Sequence, residues 1–167
     1  MFSFLRLCFL TLLLSLPVAV AAQAASPEDF YATADAFLDG GMGPDAFLSA
    51  SETALAKGEG DAEFMGYVHA LRGHARWLQK DLAEAGREAA ITLRISPRSM
   101  MGHAVTANIL ASEGKLEEAA AVLDRAKANA DHGYEKEHFA ALATLLRNRI
   151  KAGEKAAPPG FDVLRGL

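Results

Sequence analysis

Five histidines, His69, His74, His103, His132 and His138, are the side chains best suited to bind a metal or move a proton near neutral pH. His69 and His74 stand five residues apart, whereas two ligands on one helix face need an i, i+4 spacing, and no His-Glu-x-x-His run occurs. Glu135 and His138, at i, i+3, could contribute two ligands. The stretch Tyr134-Glu135-Lys136-Glu137-His138 reads equally as a solvated helix start with its acids near the positive dipole end. A Ser-His-Asp set forms only in space, and no Gly-x-Ser-x-Gly elbow is present. The glycines of Asp39-Gly40-Gly41-Met42-Gly43-Pro44 follow no strand, so they mark a helix-ending turn rather than a phosphate cradle. No recognisable motif of paired acids appears. The expectation is a chain that is not an enzyme, with no catalytic residue, no metal and no cofactor.

The opening segment differs in kind from the rest. Arg6 is followed by an apolar run from Leu7 to Leu16, then Pro17, then the small-residue stretch Val18 to Ala25. A basic end, an apolar core and an Ala-x-Ala exit match a secretory signal peptide over residues 1–24, with cleavage after Ala22 or Ala24. From Leu7 to Ala25 the segment approaches the roughly 20 residues that span a bilayer, but Pro17 and the alanines after it read as a processing site. The expected product is exported, periplasmic or secreted, with no stable membrane span after cleavage. Cys8 is the sole cysteine and lies in that leader, so disulfides, thiolate metal sites and Cys nucleophiles are excluded from the mature chain. A cysteine-free exported domain fits a bacterial periplasm.

Without Arg6, sixteen Lys and Arg face twenty-one Asp and Glu, a net charge near −5. Nucleic acid is therefore not an expected partner, because neutralising phosphates takes clustered positive charge. About 140 residues remain, enough for one domain with its own core.

Apolar residues recur at three- and four-residue intervals almost throughout, alanine is abundant and β-branched residues are few, so the mature chain reads as all-α. Phe64, Val68, Leu71, Ala75 and Leu78 form one helical stripe, with His69, Arg72, Arg76 and Lys80 opposite. Punctuation predicts seven helices. The first opens at Ser26-Pro27-Glu28-Asp29 and stops at Gly40-Gly41; the second runs from Pro44-Asp45 to near Gly58. Asp61 caps the third, which ends around Lys80, and Asp81 caps the fourth with Glu84 closing a capping box. Ser96-Pro97 ends the fourth and begins the fifth, Gly114 separates fifth from sixth, and His132-Gly133 ends the sixth. The seventh runs from Tyr134 to Ala152, completing a domain over 25–152 followed by a Pro/Gly-containing, mobile tail over 153–167.

Short, similar helices call for a repeat test. An offset of thirty-four residues pairs His69 with His103, Ala70 with Ala104, Gly73 with Ala107, Leu82 with Leu116, Glu84 with Glu118, Ala85 with Ala119 and Thr92 with Ala126. On these residues, the segment from about Gly66 to Asp131 resembles two tandem tetratricopeptide repeats. Gly73, Leu82, Ala85 and Pro97 fill the pattern in the first unit; Ala107, Gly114, Leu116, Ala119 and Ala126 fill it in the second. Small residues at the crossing let paired helices approach closely. The chain departs from the pattern at His69, Arg72 and Arg76, where packing residues are expected, and at Asp131, where the closing residue is usually Pro. The first two helices resemble a degenerate further unit through Leu48 and Leu55.

The resemblance implies a right-handed α-solenoid of antiparallel helical hairpins with a terminal capping helix, whose first helices line a concave groove. Groove candidates are then Tyr67, Arg72, His74, Arg76, Trp77, Met101 and Asn108. Trp, Tyr and Arg are over-represented in binding hot spots, and Arg72 with Arg76 could hold a carboxylate. The family's Lys and Asn clamp on a peptide carboxylate is not supported, since Asn108 is placed for it but Ala70 and Ala104, or His69 and His103, hold the Lys positions. The implied function is a protein–protein interaction module, an adaptor or scaffold binding a protein or peptide partner in the cell envelope. The alternative is a helical protein binding a small ligand or metal through its histidines. Phe161, Val163, Leu164 and Leu167 make the tail apolar enough to dock, on its own array or on a partner.

Overall fold

The computed structural model describes residues 27–57 and 61–165. The signal peptide expected over 1–24 lies outside them. The described residues form seven helices and no strand: α1 (Pro27–Leu38), α2 (Pro44–Lys57), α3 (Ala62–Leu78), α4 (Leu82–Ile95), α5 (Met100–Ser112), α6 (Leu116–Asn129) and α7 (Gly133–Lys151). Among the described residues no helix is long and apolar enough to cross a membrane.

Local chemistry sets most of these bounds. The Asp61 carboxylate accepts from the backbone N–H groups of Glu63 (2.9 Å) and Phe64 (3.1 Å), satisfying two of the donors a helix start leaves free. The helices α1, α3, α5 and α7 are each followed by a residue with positive φ: Gly40, Lys80, Gly114 and Gly153. After α3, the Lys80 N–H bonds the Trp77 carbonyl and the Asp81 N–H bonds that of Arg76. The same pair of bonds follows α5 and α7, the double closure of a Schellman ending. This overturns the capping box at α4: the Asp81 carboxylate does accept from the Glu84 N–H (3.2 Å), but the Asp81 N–H is used to close α3, and Glu84 pairs with Arg87 instead. The start of α5 is also displaced from Pro97. Residues Ser96–Ser99 form a turn, and the Ser99 hydroxyl caps the helix by accepting from the Gly102 N–H (3.1 Å).

Each helix packs on the next, and α3 also packs on α5. Two apolar cores result. One gathers Phe30, Phe37, Phe47, Phe64, Val68 and Leu71 from α1, α2 and α3. The other gathers Trp77, Val105, Leu123, Phe139 and Leu146 with Val163 and Leu164 from beyond α7. Thus α3 is buried on two sides, and the face opposite its stripe is packed as well. His69 and Arg72 are bound to Glu88 of α4, whereas Leu78 of the stripe is exposed.

Close helix approach is found where the small residues stand. A Cβ on Gly73 would lie 3.1 Å from Val105 and 3.3 Å from the Ala85 carbonyl. Ala85, Ala107, Leu116, Ala119 and Ala126 are buried, and Leu82 packs half-buried against the larger core. Pro97 is exposed in the α4–α5 turn, its carbonyl 3.2 Å from His103 Nε2. The residues after α7 are packed rather than loose: Arg149 donates to the Ala156 carbonyl (2.8 Å), and Val163 is fully buried.

Candidate segment-binding groove

Three helices, α3, α5 and α7, present polar side chains to one short segment. His74 of α3 and Asn108 of α5 stand thirty-four residues apart, the offset at which the sequence best matches itself. Both meet Asp162. The Asn108 amide donates to Asp162 Oδ1 (2.9 Å), and its oxygen accepts from the Val163 N–H (2.8 Å). His74 Nε2 lies 3.6 Å from Asp162 Oδ2. From α7, His138 Nε2 stands 2.8 Å from the Val163 carbonyl; a carbonyl only accepts, so Nε2 carries the proton. The N–H and the C=O of Val163 are therefore both taken by side chains of the helical array.

The segment itself is an aspartate-led turn. Asp162 Oδ1 also accepts from the Leu164 N–H (3.1 Å), the local bond that lets Asp start a turn. The side chains of Val163 and Leu164 then point into the larger core. Phe161 closes a preceding turn by donating its N–H to the Pro158 carbonyl (3.1 Å), with Gly160 at φ 74° supplying the left-handed step.

Beside the segment, Trp77 stacks on His74 (5.5 Å between centroids, 17° between planes) and donates Nε1–H to Ser112 Oγ (2.8 Å). Lys80 Nζ sits 5.3 Å from the Trp77 ring centroid, a cation–π distance. A cavity of about 560 Å³ remains here, bounded by Phe37, Trp77, Leu78, Lys80, Ser112 and Phe161. Burial holds the His74 ring below the ordinary histidine value, and the attraction of Asp162 offsets this only in part. Its Nδ1 is buried without a hydrogen-bond partner. Ser112 shares the site with His74 and Asp162; its hydroxyl donates to the Asn108 carbonyl (2.8 Å) and accepts from Trp77.

The residues expected to line a groove divide three ways. His74, Trp77 and Asn108 surround the segment. Tyr67 and Met101 border a second cavity of about 460 Å³ at the N-terminal ends of α3 and α5, with Glu63, Arg98, His132 and Glu135. The Tyr67 hydroxyl is pushed up to about 12, first by burial and then by Asp35 and Tyr31. Arg72 lies elsewhere, and its expected role with a partner's carboxylate is corrected. Its Nε donates to Glu88 Oε1 (2.8 Å) and its NH1 to Ser51 Oγ (2.7 Å), joining α2, α3 and α4. His69 Nδ1 donates to the other Glu88 oxygen (2.6 Å). Burial alone would raise the Glu88 carboxyl, but the bonds from His69 and Arg72 outweigh it and hold it below the ordinary range. Arg76 bonds Gln79 (3.3 Å), which in turn donates to Asp45 of α2 (2.6 Å).

Sequence reading missed Asp162 and Ser112, and weighed His138 only as a metal ligand with Glu135. Those two are used separately: the Glu135 carboxylate accepts from the His132 N–H (3.0 Å), while His138 binds the Val163 carbonyl. One signal was available in the polar pair His74 and Asn108, set thirty-four residues apart. Compared with family models, with curated proteins and with solved structures, the chain shows no match, so its role has to be read from its own side chains.

Proposed function

We propose that this chain is an exported tetratricopeptide-like interaction module, an adaptor or scaffold in the cell envelope that holds a short segment of a partner protein against the α3–α5–α7 face. One observation carries the reading: that face grips a non-helical segment by the backbone of Val163, which any polypeptide can offer, and by one carboxylate. Nearest-neighbour packing and the thirty-four-residue offset fit a right-handed solenoid of the hairpins α1–α2, α3–α4 and α5–α6, with α7 as capping helix. Binding suits the wiring better than catalysis, since the Ser112 hydroxyl is committed to Asn108 and Trp77. The periplasmic or secreted location rests on the leader.

The test is affinity capture from envelope extract with two baits, the wild-type chain and an Asn108→Ala, His138→Ala variant whose helicity is checked by circular dichroism. At least one protein should be retained by the first and lost from the second. Identical recovery on both baits would sink the reading. The cavity beside Trp77 favours one alternative, a small-ligand protein, and native mass spectrometry of freshly purified chain would reveal a retained ligand.

A further inference from the structure

The contacts that hold both backbone groups of Val163 come from the array, and each selects a definite chemistry. Asn108 needs a carboxylate beside a backbone N–H, His138 needs the next carbonyl, and the core needs two apolar side chains in succession. Residues 153–160 supply little of this. They are largely exposed, they carry Pro158-Pro159-Gly160, and both Gly153 and Gly160 sit at positive φ. As a short link between α7 and the segment they can serve as a tether, held to α7 where Arg149 meets Glu154 and the Ala156 carbonyl. The segment also fills its trough incompletely, leaving about 560 Å³ between it and Trp77, Leu78 and Lys80.

We infer that the groove takes partner segments carrying an aspartate followed by two apolar residues in the same turn, and that residues 161–164 are a resident copy which such segments displace. The inference rests on the groove reading above and names its ligand. A short tether gives the resident an effective concentration on the order of millimolar. A partner must therefore gain contacts the resident does not make. The cavity supplies them: its apolar floor of Phe37, Trp77 and Leu78 would receive a larger side chain ahead of the aspartate, and Lys80 at its rim would favour an added acid.

The probe is a fluorescein-labelled peptide of residues 158–165, blocked at both ends, titrated into the full chain and followed by anisotropy. In the chain, Asp162→Arg expels the resident by depriving Asn108 and the Leu164 N–H of their acceptor and setting a longer cation beside His74. The peptide should bind the Asp162→Arg chain at least about tenfold more tightly than wild type, and a peptide with Asn in place of Asp should bind neither. Equal affinity for both chains, or no binding to a folded Asp162→Arg chain, overturns the inference. Should that variant fail to fold, a protease site inserted between Gly153 and Glu154 of the wild-type chain provides a second arm. After cleavage, excess peptide should exchange with the resident piece, as read by native mass spectrometry; a resident that never exchanges is a structural strap, and the inference falls. If these arms fail while the Asn108→Ala, His138→Ala bait still loses its partner, the groove reading stands and only the ligand pattern is wrong.

Discussion

At the scale of single residues, Asn108 and Glu88 concentrate the polar energetics of the molecule. Asn108 is fully buried with both ends of its amide in use. Asn108→Asp keeps the shape but sets a carboxylate against Asp162, so the Val163 amide should lose protection in hydrogen exchange while amides in the middle of α4 keep theirs. Glu88→Ala strands Arg72 and His69 in a largely buried place, and removing one partner of such a pair costs about 3–5 kcal/mol; urea unfolding of the variant should show a loss toward the lower end, because the group is not wholly dry. Burial also holds His74 and His103 below the ordinary histidine value, against Asp162 in the first case and the Pro97 carbonyl in the second. A base lowered on folding binds fewer protons in the folded state. Stability is thus full above about pH 6.5 and declines as pH falls below it. The Glu88 contribution, from a lowered acid, is lost in a separate window below about pH 4.3. Urea midpoints between pH 7 and pH 5 should fall, and His74→Gln should flatten that slope; an unchanged slope would contradict the assignment. His74, Trp77 and Asn108 were singled out on α3 and α5, and the structure places all three around residues 161–164. Arg72 was misread because helical spacing does not say which neighbouring helix supplies a partner, and Asp162 was invisible because Asn108 lies 54 residues away.

At the scale of elements, caps and left-handed stops carried the helix boundaries, and these are local chemistry that a sequence displays openly. The misses came where one group serves two elements. The Asp81 N–H closes α3, so it cannot also complete a box at α4. The turn Ser96–Ser99 delays α5 by supplying its own hydroxyl cap. Lys80, at φ 67°, occupies after α3 the left-handed position that Gly114 takes after α5. A non-glycine residue pays about 1 kcal/mol or more there. Lys80→Gly should therefore raise the thermal midpoint, with loss of the contact over Trp77 trimming the gain. The reverse holds at Gly102, whose added Cβ would meet Thr92 at 2.8 Å and Leu93 at 3.0 Å. Gly102→Ala should cost about 1–3 kcal/mol through overpacking between α4 and α5, measurable by the same thermal scan.

At the scale of the whole molecule, α3 belongs to two cores at once, with Phe64, Val68 and Leu71 on one side and Trp77 on the other. A sequence stripe describes one buried face, so a helix sandwiched between neighbours was bound to be half described. The ring of Phe37 on α1 meets His74 edge-on at 5.7 Å, and His74 faces Asp162, so the first hairpin touches the same residues that receive the segment. Trp77, the sole tryptophan of the chain, lies on the wall of that trough, bonded to Ser112 and stacked on an imidazole. The molecule consequently carries its own optical gauge: intrinsic emission should shift to the red when the trough empties and water reaches the indole, and should dim on acidification as the stacked ring charges and quenches it.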